Sequence, residues 1–475
     1  MMEQSFSLYS GNTAIIDSNG RLSYSQLGRA VKKLAQRLRD AGIRQNDLIA
    51  IKSRGRDLIL LTLAVIRSGA CAAAVPDELE EDEKRSPMDT CFITAVISSG
   101  NSFLSESSSG DITAPDLTGR YFMTHRSQKL PPTLLKSRLI KNAALLRFTS
   151  GTTGDSKGVL FTGKSITERI TAANKALGIN EQDVVLWVLP MAYHFIVSIL
   201  LYVYAGACII LPDNNSPETL KKALKKYNVS VLYSSEYLFR ILLANCAKAD
   251  LLTIRKAFST SSGLSPGIFE DFHYKFGIPI MQAYGIIEAG LPFVNNADPV
   301  NKPESVGRIS DDYKIKVLDA HGNRIKNCGT GNIFIKGPGM FDAYISPFKT
   351  RKDTCNNGWF NTGDIGMLDQ NGFLYLRGRS KNVINCMGMK IFPTEIEVVL
   401  NSHPLIRESL VTAKPHPYLN EVPHASIVLH EGNGELADNA LTGFCSQYLA
   451  AYKIPRSFEY VDTLPRTKSG KLKRK

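Results

Sequence analysis

The 475-residue sequence has no closely spaced cysteines. Its eight cysteines are never fewer than twenty positions apart, so no Cys-x-x-Cys metal or redox motif is present. Such spacing disfavours both a disulfide framework and a zinc site. We therefore expect reduced thiols, as in a cytoplasmic protein.

The sequence also lacks a recognisable targeting or membrane-spanning segment. Residues 1–11 have neither a basic start nor an apolar run, so we expect no signal peptide. The longest apolar run, residues 195–211, is short for a membrane span and contains Gly206. This pattern predicts a buried helix that turns at Ala205 and Gly206 into a buried strand, and no transmembrane segment.

Positive charge is in excess but is not concentrated in a motif. The formal net charge is +13 and the pI is about 9.2, which suits anionic partners such as nucleotides, coenzyme A or an acidic carrier protein. Nucleic acid would suit the same charge. However, we find no zinc finger, aromatic–basic RNA-binding signature or helix-turn-helix signal, so we expect no nucleic-acid partner.

The most informative segment is Arg-Phe-Thr-Ser-Gly-Thr-Thr-Gly-Asp-Ser-Lys-Gly-Val, residues 147–159. An apolar run precedes it, which predicts a strand opening into a phosphate-binding loop. Its glycines permit close backbone approach, successive N–H groups form an anion nest, and Lys157 adds a charge. The segment is not a Walker A loop, because Ser156 stands at the second glycine position and Gly158 replaces the magnesium-binding hydroxyl.

The order of secondary-structure signals predicts an α/β fold. Up to residue 285, short apolar strands alternate with amphipathic helices, which favours mostly parallel sheets covered by helices. A small region of short strands and turns follows Gly307, and a compact α+β unit follows Arg379. We expect a large domain over residues 1–379 and a small mobile domain over residues 380–475. The serine-rich residues 101–116 are expected to form an exposed loop.

The phosphate loop closely resembles that of the adenylate-forming superfamily, Thr-Ser-Gly-Thr-Thr-Gly-x-Pro-Lys-Gly-Val. That superfamily contains acyl- and aryl-CoA synthetases, nonribosomal peptide adenylation domains and luciferases. The sequence matches at residues 149–154 and 157–159, with Ser156 at the proline position. Four further family segments follow in family order, and the resemblance extends from about residue 20 to the end of the chain. These segments include residues 284–288, 358–364, 378–397 and 465–471.

The resemblance implies a set of ATP-binding residues: Thr149, Ser150, Gly151, Thr152, Thr153, Gly154, Lys157, Gly263, Tyr284, Gly285, Asp364 and Arg379. In the family, the counterpart of Tyr284 packs on adenine, and those of Asp364 and Arg379 bind the ribose. Glu288 takes the place of the magnesium ligand, a suitable hard oxygen donor. Ile287 replaces a threonine that touches the α-phosphate, and we expect this change to slow adenylation.

The carboxy-terminal motifs imply a second half-reaction. Lys381 occupies the family hinge, beside Asn382 in place of a common aspartate. Gly388 corresponds to the glycine that lines the pantetheine tunnel. Lys471 corresponds to the catalytic lysine that bridges the substrate carboxylate and the α-phosphate.

The acyl pocket is expected to be bordered by residues that follow a strand: Tyr193, His194, Phe195 and Ile196. Amino-acid-activating relatives carry an aspartate after the phenylalanine, and Ile196 therefore disfavours an α-amino acid. We expect aryl or medium aliphatic acids instead. His194 is a candidate catalytic residue, which would bond a ring hydroxyl or gate the pocket; a structural histidine is the alternative.

These residues predict an ATP- and magnesium-dependent carboxylic acid ligase. It would form an acyl-adenylate and pyrophosphate, and then pass the acyl group to a pantetheine thiol. Because no carrier domain follows Lys475, we expect the acceptor to be coenzyme A or the phosphopantetheine of a separate acyl or peptidyl carrier protein. Two alternatives are a non-catalytic nucleotide- or acyl-binding homologue, and an adenylating enzyme with a non-thiol acceptor.

Overall fold

The structure of the protein is a computed structural model. The described residues are 2–76, 87–99, 109–126, 130–135, 137–148, 157–261, 263–325, 328–386, 389–430, 432, 434, 436–466 and 472–474.

The first large sheet has nine strands and carries one half of the candidate site. Its six central strands are parallel, and antiparallel strands close both edges. In spatial order the strands are Arg308–Ile309, Gly290–Val294, Ile280–Ile286, Lys256–Ser259, Val231–Ser234, Val184–Leu186, Cys208–Ile210, Thr13–Asp17 and Gly20–Ser23.

The second large sheet also has nine strands and contains the strands that flank the phosphate loop. Four central strands are parallel and the outer pairs are antiparallel. In spatial order they are Lys349–Thr350, Ala343–Tyr344, Gly158–Thr162, Ala143–Phe148, Cys71–Ala74, Leu48–Lys52, Ala95–Ser98, Phe122–His125 and Ser109–Asp111.

Helices between the two sheets form the main hydrophobic core. Tyr24–Asp40 begins at a capping box between Ser23 and Gln26 and buries the stripe Leu27, Val31, Leu34 and Leu38. The other central helices are Gly55–Ser68, Gly163–Leu177, the π-helix Phe195–Leu200 and Leu201–Ala205. Burial of their apolar faces against both sheets is the dominant stabilising contribution.

The remaining helices cover outer faces or connect strands. Pro217–Tyr227, Glu236–Asn245 and Pro266–Phe276 pack on the outside of the first sheet. The other helices are Met2–Leu8, Pro132–Leu135, Arg138–Lys141, Met191–His194 and Arg351–Thr354, with 3₁₀ turns at Lys248–Leu251, Ser380–Asn382 and Ala451–Lys453.

Two smaller sheets complete the chain. A four-stranded antiparallel sheet consists of Lys314–Leu318, Thr330–Lys336, Phe360–Leu368 and Leu374–Arg379. The carboxy-terminal unit has its own core and combines the helices Pro393–Asn401 and Asp438–Ser446 with five strands. Those strands are Met389–Ile391, Ile384–Cys386, Asn420–Leu429, Ile406–His416 and Ser457–Tyr460.

The α/β class, the parallel centre of the sheets and the change of structure after Gly307 are confirmed. Residues 195–211 form two buried helices, a left-handed Gly206 and a strand, as the sequence predicts. The expected loop at residues 101–116 is wrong in part, because Ser109–Asp111 pairs as an edge strand with Phe122–His125. Residues 101–108 lie outside the described part of the chain.

Candidate active site

Three of the residues predicted to bind the nucleotide form one bonded group, which we call the nucleotide side of the candidate site. Asp364 and Arg379 stand directly opposite each other in the antiparallel register, and Arg379 Nε lies 2.8 Å from Asp364 Oδ1. The Tyr284 hydroxyl donates to Asp364 Oδ2 at 2.6 Å. Burial, and then the Asp364 charge, raise the pKa of Tyr284 well above its usual value, so its hydroxyl stays protonated and donates.

A tight local backbone presents Asp364. Thr362 Oγ1 donates to the Ile333 carbonyl at 2.9 Å and accepts the Asp364 N–H at 3.0 Å. Gly363 between them has φ of +71°, a conformation that favours glycine. The Thr-Gly-Asp sequence is therefore required by the local backbone conformation, in addition to the predicted role of Asp364 in binding the ribose.

Glu288, the predicted magnesium ligand, lies in the turn between Ile280–Ile286 and Gly290–Val294, which we call the metal side of the candidate site. A Cβ at Gly285 would be 2.1 Å from the Gly290 carbonyl oxygen, so this turn requires glycine. Glu288 follows, and its Oε1 accepts a 2.8 Å hydrogen bond from the Tyr344 hydroxyl. Lys157 Nζ lies 5.8 Å from the centroid of the Tyr344 ring, so Tyr344 joins the predicted metal ligand to the predicted phosphate-loop lysine.

A buried arginine holds the backbone of this turn. Arg169 is 1% exposed and donates to the carbonyl oxygens of Gly339, Ile287 and Glu288 at 2.7, 2.6 and 3.1 Å. Its guanidinium also lies 4.5 Å from the centroid of the Phe161 ring. Burial lowers the pKa of Arg169 to about 10, which leaves it charged at neutral pH.

The one carboxylate predicted to bind metal, that of Glu288, fits a magnesium ion that is bound mainly by the phosphates of a nucleotide. Within the described ranges, no group of three or more His, Cys, Asp or Glu side chains is arranged to hold a metal. A single Glu288 carboxylate suits Mg²⁺, which keeps phosphate and water ligands instead of an all-protein cage.

The predicted acyl-pocket residues divide into two pairs. Tyr193 and His194 end the short helix Met191–His194 and are half-buried, whereas Phe195 and Ile196 are each 1% exposed and belong to the main core. His194 Nε2 lies 3.4 Å from Ser261 Oγ. Its ring also packs edge-on against Trp187, with centroids 6.4 Å apart.

Trp187 extends this contact into an aromatic cluster. It stacks on Tyr233 at a centroid distance of 6.5 Å and packs against Tyr202 at 6.1 Å. Trp187 Nε1 and the Tyr202 hydroxyl are buried, and the described residues offer them no hydrogen-bond partner. The cluster therefore combines aromatic faces with unused polar atoms beside His194.

Several predicted residues are not tested by this geometry. Residues 149–154, Gly388 and Lys471 lie outside the described residues. Gly263 has no described heavy atom within 4 Å of an added Cβ, and Lys381 is exposed in the 3₁₀ turn Ser380–Asn382. Their roles stay predictions.

The sequence motifs did not identify three residues that contact the candidate site. They are Tyr344, Arg169 and Arg147, the last of which donates to the Tyr193 carbonyl. Arg169 did carry a signal, because it falls on the apolar stripe of its helix beside Ile166, Ile170 and Ala173. A charged residue at such a position requires buried partners.

Comparison with known families gives two matches that together span most of the chain. The profile of the AMP-binding enzyme family matches residues 2–345, and that of the AMP-binding enzyme C-terminal domain matches residues 395–471. The chain therefore belongs to the AMP-binding enzyme family, which confirms the resemblance to adenylate-forming enzymes.

Individual relatives match over nearly their full length. An oxalate–CoA ligase from Arabidopsis thaliana is 28% identical, covering 96% of this chain and 92% of the relative. A 2-succinylbenzoate–CoA ligase from Bacillus licheniformis is also 28% identical, covering 100% of this chain and 98% of the relative.

Solved structures agree with the fold. The o-succinylbenzoate CoA synthetase of Bacillus subtilis, bound to an acyl-adenylate, matches with a TM-score of 0.85 and 26% identity, over 99% of this chain and 96% of that one. The same enzyme with ATP and magnesium ion matches with a TM-score of 0.84. ATP-bound MatB from Rhodopseudomonas palustris, at 22% identity and a TM-score of 0.85, shares the fold, covering 99% of this chain and 97% of that one.

The protein is thus an ATP-dependent acid–thiol ligase that adenylates a carboxylic acid. Across the described residues, the longest apolar helices fall short of what a bilayer crossing requires.

Proposed function

We propose that this ligase activates an aryl-containing acid and transfers the acyl group to coenzyme A. The observation that carries the proposal is the turn after Ile280–Ile286. It places Tyr284, bonded to the Asp364–Arg379 pair, four positions from Glu288, bonded to Tyr344. One continuous segment, residues 284–288, therefore contacts the proposed ribose-binding carboxylate through Tyr284 and carries the proposed metal-binding carboxylate, Glu288.

In the first half-reaction, a carboxylate oxygen of the acid attacks the α-phosphorus of ATP and pyrophosphate leaves. Asp364 accepts hydrogen bonds from the ribose, and Lys157 and Lys471 offset charge on the phosphates. Glu288 would hold Mg²⁺, which supplies charge neutralisation at the phosphates. In the second half-reaction, the thiol loses its proton, its sulfur attacks the acyl carbonyl, and AMP leaves.

The two half-reactions are proposed to use two orientations of the carboxy-terminal domain, residues 380–475, about Lys381. Two hydrogen bonds lie beside this point. Ser380 Oγ donates to the Gly363 carbonyl at 3.1 Å, and Thr394 Oγ1 donates to the Arg377 carbonyl at 2.6 Å. A rotation at Lys381 would have to break these two hydrogen bonds between the described parts of the two domains.

The far end of this domain is fixed near the proposed catalytic lysine. Arg474 forms an ion pair with the buried Glu397 and donates to the Val411 carbonyl at 2.9 Å. This anchor stands three positions after Lys471. Arg474 therefore attaches the described residues 472–474 to the core of the carboxy-terminal domain, and we expect these residues to move with that domain.

The aromatic cluster around Trp187 and His194 supports an aryl acid, since aromatic faces favour aromatic ligands. Buried Ile196 provides no partner for an ammonium group. The named acids of the relatives, oxalate and 2-succinylbenzoate, each carry two carboxyl groups. Those relatives are CoA ligases, which favours coenzyme A over a carrier protein as acceptor. The free cysteines support a cytoplasmic location.

The test separates the half-reactions in one preparation. Single-turnover pyrophosphate release and thioester mass would be measured with a panel of aryl and aliphatic acids. Lys471→Ala is expected to slow pyrophosphate release by about 100-fold or more while ATP binding survives. Gly388→Leu is expected to keep pyrophosphate release and suppress the thioester, because only the thiol passes that position.

The matched control is Lys473→Ala, which removes a neighbouring lysine whose backbone, not its side chain, bonds Pro465. Wild-type rates are expected for it. Pyrophosphate release by Lys471→Ala at the wild-type rate would contradict the proposed role. If a thioester formed on a carrier protein but not on coenzyme A, the proposed acceptor would be wrong and a carrier protein would take its place.

A further inference from the structure

The buried Arg169 and the half-buried Arg147 lie beside the site, and their hydrogen-bonding differs. Arg169 uses Nε and both terminal nitrogens on three backbone carbonyls. Arg147 donates from one terminal nitrogen to the Tyr193 carbonyl. Its Nε is buried, and no acceptor among the described residues reaches it.

Among the described residues, Arg147 also lacks an anionic partner. No carboxylate of the described residues lies within ion-pair distance of its guanidinium, although Glu288 influences it electrostatically. Burial, and then the nearby Arg169, lower the pKa of Arg147 to about 10, so it is charged at neutral pH. An unmade hydrogen bond at a buried charged donor is costly, which makes this position unfavourable without a ligand.

The location of Arg147 connects it to the acid-binding region. It lies on Ala143–Phe148, the strand that enters the phosphate loop, and pairs with Val159 in the register. Because side chains alternate along a strand, Arg147 shares the face of Leu145, which belongs to the core between the large sheets. Its bond to Tyr193 places it against the predicted acyl pocket.

We propose that Arg147 binds a second acidic group of the substrate, so that the preferred acid is dicarboxylic. A guanidinium presents five N–H donors in a planar fork that matches a carboxylate. A carboxylate there would satisfy Nε and neutralise the charge, while the other carboxyl group reacts with ATP. This inference rests on the proposed function, because it assigns the substrate of that same site.

Matched pairs of acids provide the first measurement. Succinate, glutarate, phthalate and 2-succinylbenzoate would each be compared with a half-amide in ATP–pyrophosphate exchange. The half-amide keeps the reacting carboxyl group and the shape but removes the second charge. For the best diacid, wild-type kcat/KM is expected to exceed that of its half-amide by about thirtyfold or more, since loss of one member of a buried charge pair has about that effect.

The variant Arg147→Gln is expected to bring this ratio close to one, mainly by raising KM for the diacid. Arg147→Lys is expected to retain an intermediate ratio, because it keeps the charge and loses the fork. The control is Arg56→Gln. Arg56 is 8% exposed and ion-paired with Asp17, and its loss should lower the melting temperature and leave the ratio unchanged.

The outcomes separate the two ideas. If half-amides or simple monoacids match the diacids in the wild type, the dicarboxylate assignment is wrong while the ligase proposal stands. If Arg147→Gln lowers exchange with diacid and half-amide equally, Arg147 has a structural role and the assignment is also wrong. If no carboxylic acid of any class supports exchange, the proposed function itself fails.

Discussion

The nucleotide side and the metal side of the site are held together in different ways. On the nucleotide side, the side chains of Tyr284, Asp364 and Arg379 bond to one another. On the metal side, the backbone around Glu288 bonds to Arg169, a side chain outside every motif. On the nucleotide side, the residues predicted to bind the ligand also position one another. On the metal side, the residue predicted to bind the ligand and the residue that positions it are different.

This difference predicts different responses to mutation. Loss of a nucleotide-side residue should affect nucleotide binding directly, and its neighbours should partly compensate. Loss of Arg169 removes a donor from three backbone carbonyl groups at once, and only the Glu288 carbonyl also accepts the Phe341 N–H, at 2.8 Å, among the described residues, so the turn that carries Glu288 should rearrange. The following variants test that contrast, starting with the largest expected effect.

Arg169→Met is expected to reduce adenylation and the apparent affinity for Mg²⁺ by about 10- to 100-fold, the range typical of residues that orient a metal ligand. The melting temperature should also fall. Arg169→Lys should recover little, because an ammonium group cannot span three carbonyls in one plane. Pyrophosphate exchange at a series of Mg²⁺ concentrations measures the effect.

Phe161→Leu is the matched control for Arg169. It removes the ring beside the guanidinium and keeps the three carbonyl bonds, so it should lower stability and leave the Mg²⁺ dependence near wild type. A positioning role for Arg169 is contradicted if both variants lose stability and neither changes the Mg²⁺ dependence.

The same contrast explains what sequence reasoning found at the site. Motif residues such as Tyr284, Glu288 and Asp364 were located because they resemble a family pattern. Tyr344 and Arg169 were missed because their partners are far away along the chain: Tyr344 is 56 positions from Glu288 and Arg169 is 170 from Gly339. Local periodicity carries no information about such pairings.

The fold shows a similar limit. The helix Pro266–Phe276 has both of its ends marked in the sequence, because proline begins it and a left-handed Gly277 ends it. The strand Asn420–Leu429 has a clear apolar pattern only from Ala425 onward. Its first half mixes polar residues with Val422 and Pro423, and it is ordered by pairing with Ile406–His416. Local sequence determines the end of a helix or strand where a residue such as proline or glycine stops it. Elsewhere the end is determined by pairing with distant parts of the chain.

Asp364→Asn tests the nucleotide side with a smaller expected effect. It preserves the shape of the side chain and removes the charge, so KM for ATP should rise about tenfold through weaker hydrogen bonds from the ribose. The preference for ATP over 2′-deoxyATP should fall, and the Mg²⁺ dependence should not change. Exchange assays with the two nucleotides measure this. A preserved ATP preference would show that Asp364 does not contact the ribose.

Tyr284→Phe should have the smallest effect, because it keeps the ring and removes one of the bonds that hold Asp364. Arg379 Nε remains 2.8 Å from the other carboxylate oxygen, so KM for ATP should rise only about fivefold. Burial and Asp364 raise the pKa of Tyr284, so its hydroxyl should donate at every pH from neutral to about 9. The ratio of the KM for ATP of Tyr284→Phe to that of the wild type should therefore stay constant over this pH range.

Arg379→Gln is the companion variant. It should raise the KM for ATP about as much as Tyr284→Phe does, if the two donors share the Asp364 carboxylate equally. An effect of Tyr284→Phe larger than that of Asp364→Asn would mean that the hydroxyl acts on the nucleotide itself, and the nucleotide side would then not be the self-supporting group of side chains described here.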